Sequence, residues 1–174
     1  NNNIFIRSVE GYGISIDSNS ADQINKIYGN RFLNNSRQAI KFSSDSYNSI
    51  IYNNYFNNTV PINTSSGGLN YFNTTESAGL SIISGIVIGE NYYANSSGTG
   101  YSQTCIDANT DGLCDNPVNI TDMTECIGCS GYNVDELPLR APTPVTNCTI
   151  IDTPGKYILT NSSNIDAKLD DVKA

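Results

Sequence analysis

The stretch Ile27-Tyr28-Gly29-Asn30-Arg31-Phe32-Leu33-Asn34-Asn35 returns 24 residues later as Ile51-Tyr52-Asn53-Asn54-Tyr55-Phe56-Asn57-Asn58. Its kernel, Asn-x-aromatic-x-Asn, is met again at Asn70-Tyr71-Phe72-Asn73 and at Asn91-Tyr92-Tyr93-Ala94-Asn95. Between kernels lie short alternating triplets, Ile14-Ser15-Ile16, Ile40-Lys41-Phe42 and Pro61-Ile62-Asn63. Alternation over so few residues, punctuated by Asn, Gly and Ser, predicts strand followed by tight turn. A unit of about 22–26 residues cannot bury an apolar face alone, so it must stack on copies of itself. The fold expected is therefore all-β: a short right-handed parallel β-helix of about four coils, with Ile on Ile and Phe on Phe at the ~4.8 Å strand spacing. Asn suits the corners because it tolerates left-handed backbone and forms side-chain ladders. An antiparallel sandwich is the runner-up, and it does not predict the recurring kernel.

Composition restricts the function classes. Charged residues are 15% of the 174, and the net charge of −8 with a pI near 4.2 leaves no Lys/Arg footprint for nucleic acid. No run reaches the ~20 apolar residues of a membrane span; the most apolar, Ala78 to Gly89, is broken by Ser81, Ser84 and Gly85 and reads as β. Asn1 begins in mid-pattern, so a mature or truncated product of a longer precursor is expected. Eight sequons, at Asn34, Asn57, Asn63, Asn73, Asn95, Asn119, Asn147 and Asn161, are candidate glycosylation acceptors, and with five cysteines they favour an extracellular or cell-surface protein.

Four segments follow: coils over 1–97, an Asp/Gly/Cys-rich cap over 98–140, a Pro-rich linker over 141–148 and a strand-turn-strand tail over 149–174. In the cap, Asp107-Ala108-Asn109-Thr110-Asp111-Gly112-Leu113-Cys114-Asp115 places oxygen donors at alternate positions before a glycine turn. That pattern predicts calcium (Ca2+) on Asp107, Asn109, Asp111, the Leu113 carbonyl and Asp115. Val118 stands where an EF-hand has its closing Glu, so Asp122 or Asp135 is the expected further ligand. Cys105, Cys114, Cys126 and Cys129 read as structural disulfides, paired 105–114 with 126–129 or crosswise; a Cys₄ zinc site is the alternative. Cys148 is left over for an intermolecular bond. A redox reading of Cys126-Ile127-Gly128-Cys129 lacks its βαβ setting, and haem attachment fails at Ser130. Catalysis would draw on Asp17, Asp22, Lys26, Arg31, Arg37, Lys41 and Asp45, with Asp17 and Lys41 spaced to stack on adjacent coils. With no His and no nucleophile motif, no residue takes a catalytic label.

The order of motifs from Asn91 to Leu139 resembles the closing portion of NosD-like (pectin-lyase-like) parallel β-helix repeat domains of archaeal cell-surface proteins. Those run Asn-Tyr-Trp, an Asp/Gly-rich loop ending Gly-Ile-Gly-Asp-x-Pro-Tyr, then Asp-x-Tyr-Pro-Leu. Here stand Asn91-Tyr92-Tyr93, Asp111-Gly112-Leu113-Cys114-Asp115-Asn116-Pro117-Val118 and Asp135-Glu136-Leu137-Pro138-Leu139. Tyr93 replaces the Trp, Cys114 a glycine and Leu137 an aromatic. The tail from Asn147 to Leu159 is similar to the segment that opens another such β-helix, where Cys148 would bond a cysteine of the next coil. The resemblance implies an S-layer or surface-appendage context, while zero His and a single Met, Met123, argue against copper handling. The expected function is structural: a calcium-stabilised, glycosylated subunit of a surface filament, appendage or S-layer, polymerising with itself head-to-tail by strand addition of the tail. A carbohydrate-binding adhesin engaging surface glycans, or a polysaccharide lyase or hydrolase, is the alternative.

Overall fold

The computed structural model describes residues 3–6, 11–18, 24–58, 60–64, 69–125, 127, 131–145 and 157–159. The chain divides into two compact units, Asn1–Ala141 and Pro142–Ala174. In the first, the repeat lays strands down in threes: β1 (Ile4–Ile6), β2 (Ile14–Ser18) and β3 (Lys26–Tyr28), then β4 (Arg31–Leu33), β5 (Ile40–Asp45) and β6 (Ile50–Tyr52). After β7 (Tyr55–Asn57) and β8 (Ile62–Asn63) comes an antiparallel hairpin, β9 (Ser77–Ala78) with β10 (Val87–Ile88), and then β11 (Tyr92–Ala94). Equivalent strands pair in parallel, giving sheets β1-β4-β7-β11, β2-β5-β8 and β3-β6. Three sheets built by strands from successive repeats are the arrangement of a parallel β-helix, and the chain is all-β apart from one helical turn among the described residues.

The register follows the 24-residue repeat at first: Ile27 lies on Ile51, Tyr28 on Tyr52 and Phe32 on Phe56. Alternate residues then enter a narrow core in columns. Phe32 stacks on Phe56 at 5.1 Å between ring centroids, and Phe56 stacks on Tyr93 at 5.4 Å. Ile40 sits between Ile14 and Ile62 in the second sheet. Outward-facing rings stack as well, Tyr28 on Tyr52 and Tyr55 on Tyr92. The kernel at Asn70–Asn73 is not equivalent to the other three. Tyr71 bridges Ile50, which places it beside β6, and β7 pairs instead with β11, 37 residues on. The hairpin fills the difference; its tip residues Ile82 and Ile83, like Tyr55, pack against the cluster of Tyr92, Ala94, Leu113 and Leu139.

Residues 98–140 close the β11 end. The single turn α1 (Tyr101–Thr104) sits over the outer edge of β11, where the Ser102 hydroxyl accepts the Tyr93 N–H at 2.9 Å. Gly100 permits this approach, since a Cβ there would lie 2.6 Å from the Ala94 Cα. Strands β12 (Val118–Asn119), β13 (Thr124–Glu125) and β14 (Val134–Asp135) form an antiparallel sheet in the order β13-β12-β14. Val118 and Ile120 are wholly buried in the same core cluster as Phe32, Phe56 and Tyr93, so this segment covers the open end of the coils.

In the second unit, β15 (Thr143–Val145) pairs in parallel with β16 (Tyr157–Leu159). The Pro-rich stretch expected as a linker thus carries a strand, and it is the partner of Tyr157–Leu159; Ile150-Ile151, expected in that place, lie outside the described residues. No helix among the described residues is long and apolar enough to cross a membrane.

Candidate functional site

The loop from Cys105 to Asp115 is closed by a disulfide between Cys105 and Cys114. Within it the acidic side chains turn onto the loop's own backbone. Asp107 accepts the N–H of Asp111 through Oδ1 (3.2 Å) and that of Gly112 through Oδ2 (3.1 Å). Asn109 accepts the Asp111 N–H and donates its amide to Asp111 Oδ2 at 2.8 Å. Asp111 Oδ1 takes the Leu113 N–H and Asp115 Oδ2 that of Ala108. Gly112, at φ +90°, provides the turn, and Leu113 is buried in an antiparallel bridge with Leu139. These are Asx turns, in which each carboxylate satisfies amides that a tight loop leaves unpaired.

Cys126, Cys129 and Cys148 lie outside the described residues, as do the sequons at Asn147 and Asn161. Of the other sequon residues, Asn34 is exposed and Asn57, Asn63, Asn73, Asn95 and Asn119 are half-buried. Asn34, Asn57 and Asn95 line one cleft of about 370 Å³ with Asn35, Asn58, Ser96 and Ser97, where the chain leaves β4, β7 and β11. The expected stacking of Asp17 on Lys41 does not occur. Lys41 lies opposite Ser15 and points its ammonium at the Tyr12 ring, 5.1 Å away, while Asp17 accepts the Ser15 hydroxyl. Arg37 also lies over Tyr12, and Arg31 covers Tyr55 while donating to the Ile82 carbonyl. Lys26 is exposed, and Asp22 and the Asp45 side chain lie outside the described residues.

The strongest electrostatic perturbation is elsewhere, at the end of an asparagine ladder. Asn54 Oδ1 accepts the N–H and side-chain amide of Asn30, and Asn91 Oδ1 accepts the same pair from Asn54. Asp135 takes the next place: its Oδ2 accepts from Asn91 N (3.3 Å) and Nδ2 (3.2 Å), and from the Tyr93 hydroxyl (3.0 Å). Beside it lies Glu90, 3% exposed against 0% for Asp135, and the two buried carboxyls act on one another electrostatically. Glu90 Oε2 and Asp135 Oδ1 are buried with no hydrogen-bond partner. Burial, then the Asp135 charge, pushes the Glu90 carboxyl up to about 11. Burial also raises Asp135, to about 6, against the interactions with Glu90, Asn91 and Tyr93 that favour its ionised form. Tyr93 is raised by burial and then by Asp135. Asp135 is therefore a ladder residue on β14, not a ligand of the 105–115 loop. Glu90 was not singled out in the sequence, although it stands where Gly29 and Asn53 precede the earlier kernels, an acid in a neutral column.

The family model described as "Periplasmic copper-binding protein (NosD)" matches residues 1–98. Comparison with curated proteins and comparison with solved structures gave no match. The family match falls on the coils, whereas the motif resemblance rested on 91–139 and the tail. Among the described residues copper finds no set of ligands: the chain has no His, Met123 is packed against the core, and Cys105 and Cys114 are bonded to each other. Calcium, expected on Asp107, Asn109, Asp111, Leu113 and Asp115, is corrected as well. The family's description names copper and not calcium, and no group of three or more His, Cys, Asp or Glu among the described residues is placed to hold a metal ion. The loop oxygens meet backbone amides instead. What ties this chain to its relatives is the repeat of parallel coils: it belongs to the NosD family.

Proposed function

We propose that this chain is a structural, non-enzymatic β-helix module of an assembly outside the cytoplasm, in a surface layer, filament or appendage. The observation that carries this reading is where the perturbed chemistry lies. The raised carboxyls and the raised Tyr93 are enclosed between the last coil and its cap, where no substrate reaches them, and they complete a ladder that holds backbone together. The Tyr rings that a sugar would stack on are engaged, Tyr28 with Tyr52 and Tyr55 with the buried Tyr92, which weakens the adhesin alternative. The coils are closed at one end by the disulfide-bonded cap, and the sequon side chains of Asn34, Asn57 and Asn95 at one cleft offer glycan attachment outside the core.

Assembly proceeds by strand addition. Among the described residues β1, β2 and β3 are the sheet edges opposite the cap, where a further parallel strand would add. The second unit presents a parallel pair of its own, β15 with β16. A tail that adds to the edge of the next copy makes a head-to-tail contact that does not close, and so a filament. Electron microscopy and light scattering test this on the secreted chain with and without 149–174. Concentration-dependent filaments that vanish with the deletion support it. Filaments unchanged by the deletion, or a full chain that stays monomeric at high concentration, refute it.

A further inference from the structure

The cap meets the coils at an acid pair, and the ladder shows why the pair matters. At each earlier step the ladder is Asn on Asn, neutral at every pH, with one amide accepting and the next donating. At the last step the acceptor is a carboxyl on β14, and behind it stands a second buried carboxyl, Glu90, at the start of β11. Two ionised carboxylates in contact, both out of water, repel strongly and leave acceptor oxygens facing each other. One proton between them removes the repulsion and supplies the donor that Glu90 Oε2 and Asp135 Oδ1 otherwise lack. We propose that Glu90 and Asp135 form a proton-held latch, which docks the cap on the coil end while one proton is shared and releases β14 from Asn91 when that proton is lost.

The surroundings offer no rescue for the doubly ionised pair. Glu76 and Glu136 add negative charge toward Glu90, and Glu125 and Asp135 both bear on Tyr101 across the cap. The Tyr93 hydroxyl already donates to Asp135, and Asn91 donates two N–H groups to it. Arg140, which bears on Tyr92, spends its guanidinium on the carbonyls of Ser102 and Gln103. Both carboxyls titrate above their unfolded values, so the folded chain keeps protons that the unfolded chain has already lost. The stabilisation is thus complete below about pH 4 and is withdrawn as pH rises through about 6 and on toward 11.

Native-state hydrogen exchange on the full chain between pH 5 and pH 9, corrected for intrinsic exchange rates, tests the latch in 0.5 M salt, where the repulsion among surface carboxylates is screened and the buried pair is not. Protection of Asn91, Tyr93 and the β12–β14 amides is expected to fall at least about tenfold more than that of the β4 and β7 amides. Glu90→Gln removes the more strongly raised carboxyl and should take away most of this excess loss. Asp135→Asn continues the ladder with a neutral amide and removes the repulsion between the carboxyls, so it should reduce the excess loss, with the burial of Glu90 keeping the remainder, and failure of one variant to fold leaves the other to decide. Uniform loss of protection across coils and cap in the wild-type chain overturns the proposal. So does an unchanged pH dependence in a folded variant.

Discussion

Asn54 has every polar atom of its side chain committed. Its Oδ1 accepts two N–H groups from Asn30, and its Nδ2 donates to Ile27 O (2.8 Å), Tyr52 O (2.9 Å) and Asn91 Oδ1 (3.1 Å). An amide is the group that accepts on one side and donates on the other, which is why the corner is Asn and not Asp. Asn54→Asp keeps the accepting side but turns an oxygen onto three acceptors in a fully buried place. The expected loss at pH 7 is about 3–5 kcal/mol, as for other uncompensated buried charges. The carboxyl can regain a donor only by taking a proton, so its folded-state pKa must rise, and stability should return as the pH falls. Urea unfolding at pH 7 and pH 4.5 checks this; equal losses at both would contradict the argument. The Asn columns were legible in the sequence because each member recurs in the same local kernel. The pairing of Glu90 with Asp135 was not, since the two lie far apart in sequence and Asp135 belongs to no repeat; only the ladder brings them together.

At the level of elements, a repeat in sequence is not always a repeat in space. Asn70-Tyr71-Phe72-Asn73 shares the kernel's composition, yet it follows Asn54 by 16 residues, too few for a coil, and lacks the fifth-position Asn. It sits instead beside β6, where Ser49 donates its N–H to Asn70 Oδ1. The acidic loop misleads for a different reason. Oxygen side chains at alternate positions before a glycine suit a cation, and they suit a chain of Asx turns equally well. What ties this loop down is covalent: Cys105 and Cys114 close a ring of about ten residues, for which the chain-entropy relation gives about 2.5–3 kcal/mol. Cys105→Ser with Cys114→Ser should lower the unfolding free energy measured by urea titration by that much, and the midpoint with it. Millimolar calcium or a chelator should leave the midpoint of either protein where it was. A calcium-dependent midpoint in the wild-type chain would restore the metal reading and reopen the loop's role.

Over the whole molecule, the coils behave as a stack in which each layer is stabilised chiefly by its neighbours. The Phe32–Phe56–Tyr93 column and the Asn30–Asn54–Asn91–Asp135 ladder run through successive layers without a break, and the column ends against Val118 and Ile120 of the cap. A linear array of this kind unfolds as one unit when its layers are strongly coupled and each layer is unstable alone. The described ladder and core of the first unit are complete within Asn1–Ala141, and the second unit has its own strand pair, β15 with β16. Removal of 142–174 is therefore expected to leave a single cooperative thermal transition of the first unit within about 2 °C of its midpoint in the full chain, well under the shift that a loss of 1 kcal/mol causes in a domain of this size. Calorimetry at low concentration, where filaments do not contribute, is the measurement. A midpoint lowered by about 8 °C or more would mean that the tail completes the first unit's own fold. Its strands would then be unavailable to a neighbouring copy, and head-to-tail assembly by tail exchange would have to proceed by domain swapping instead.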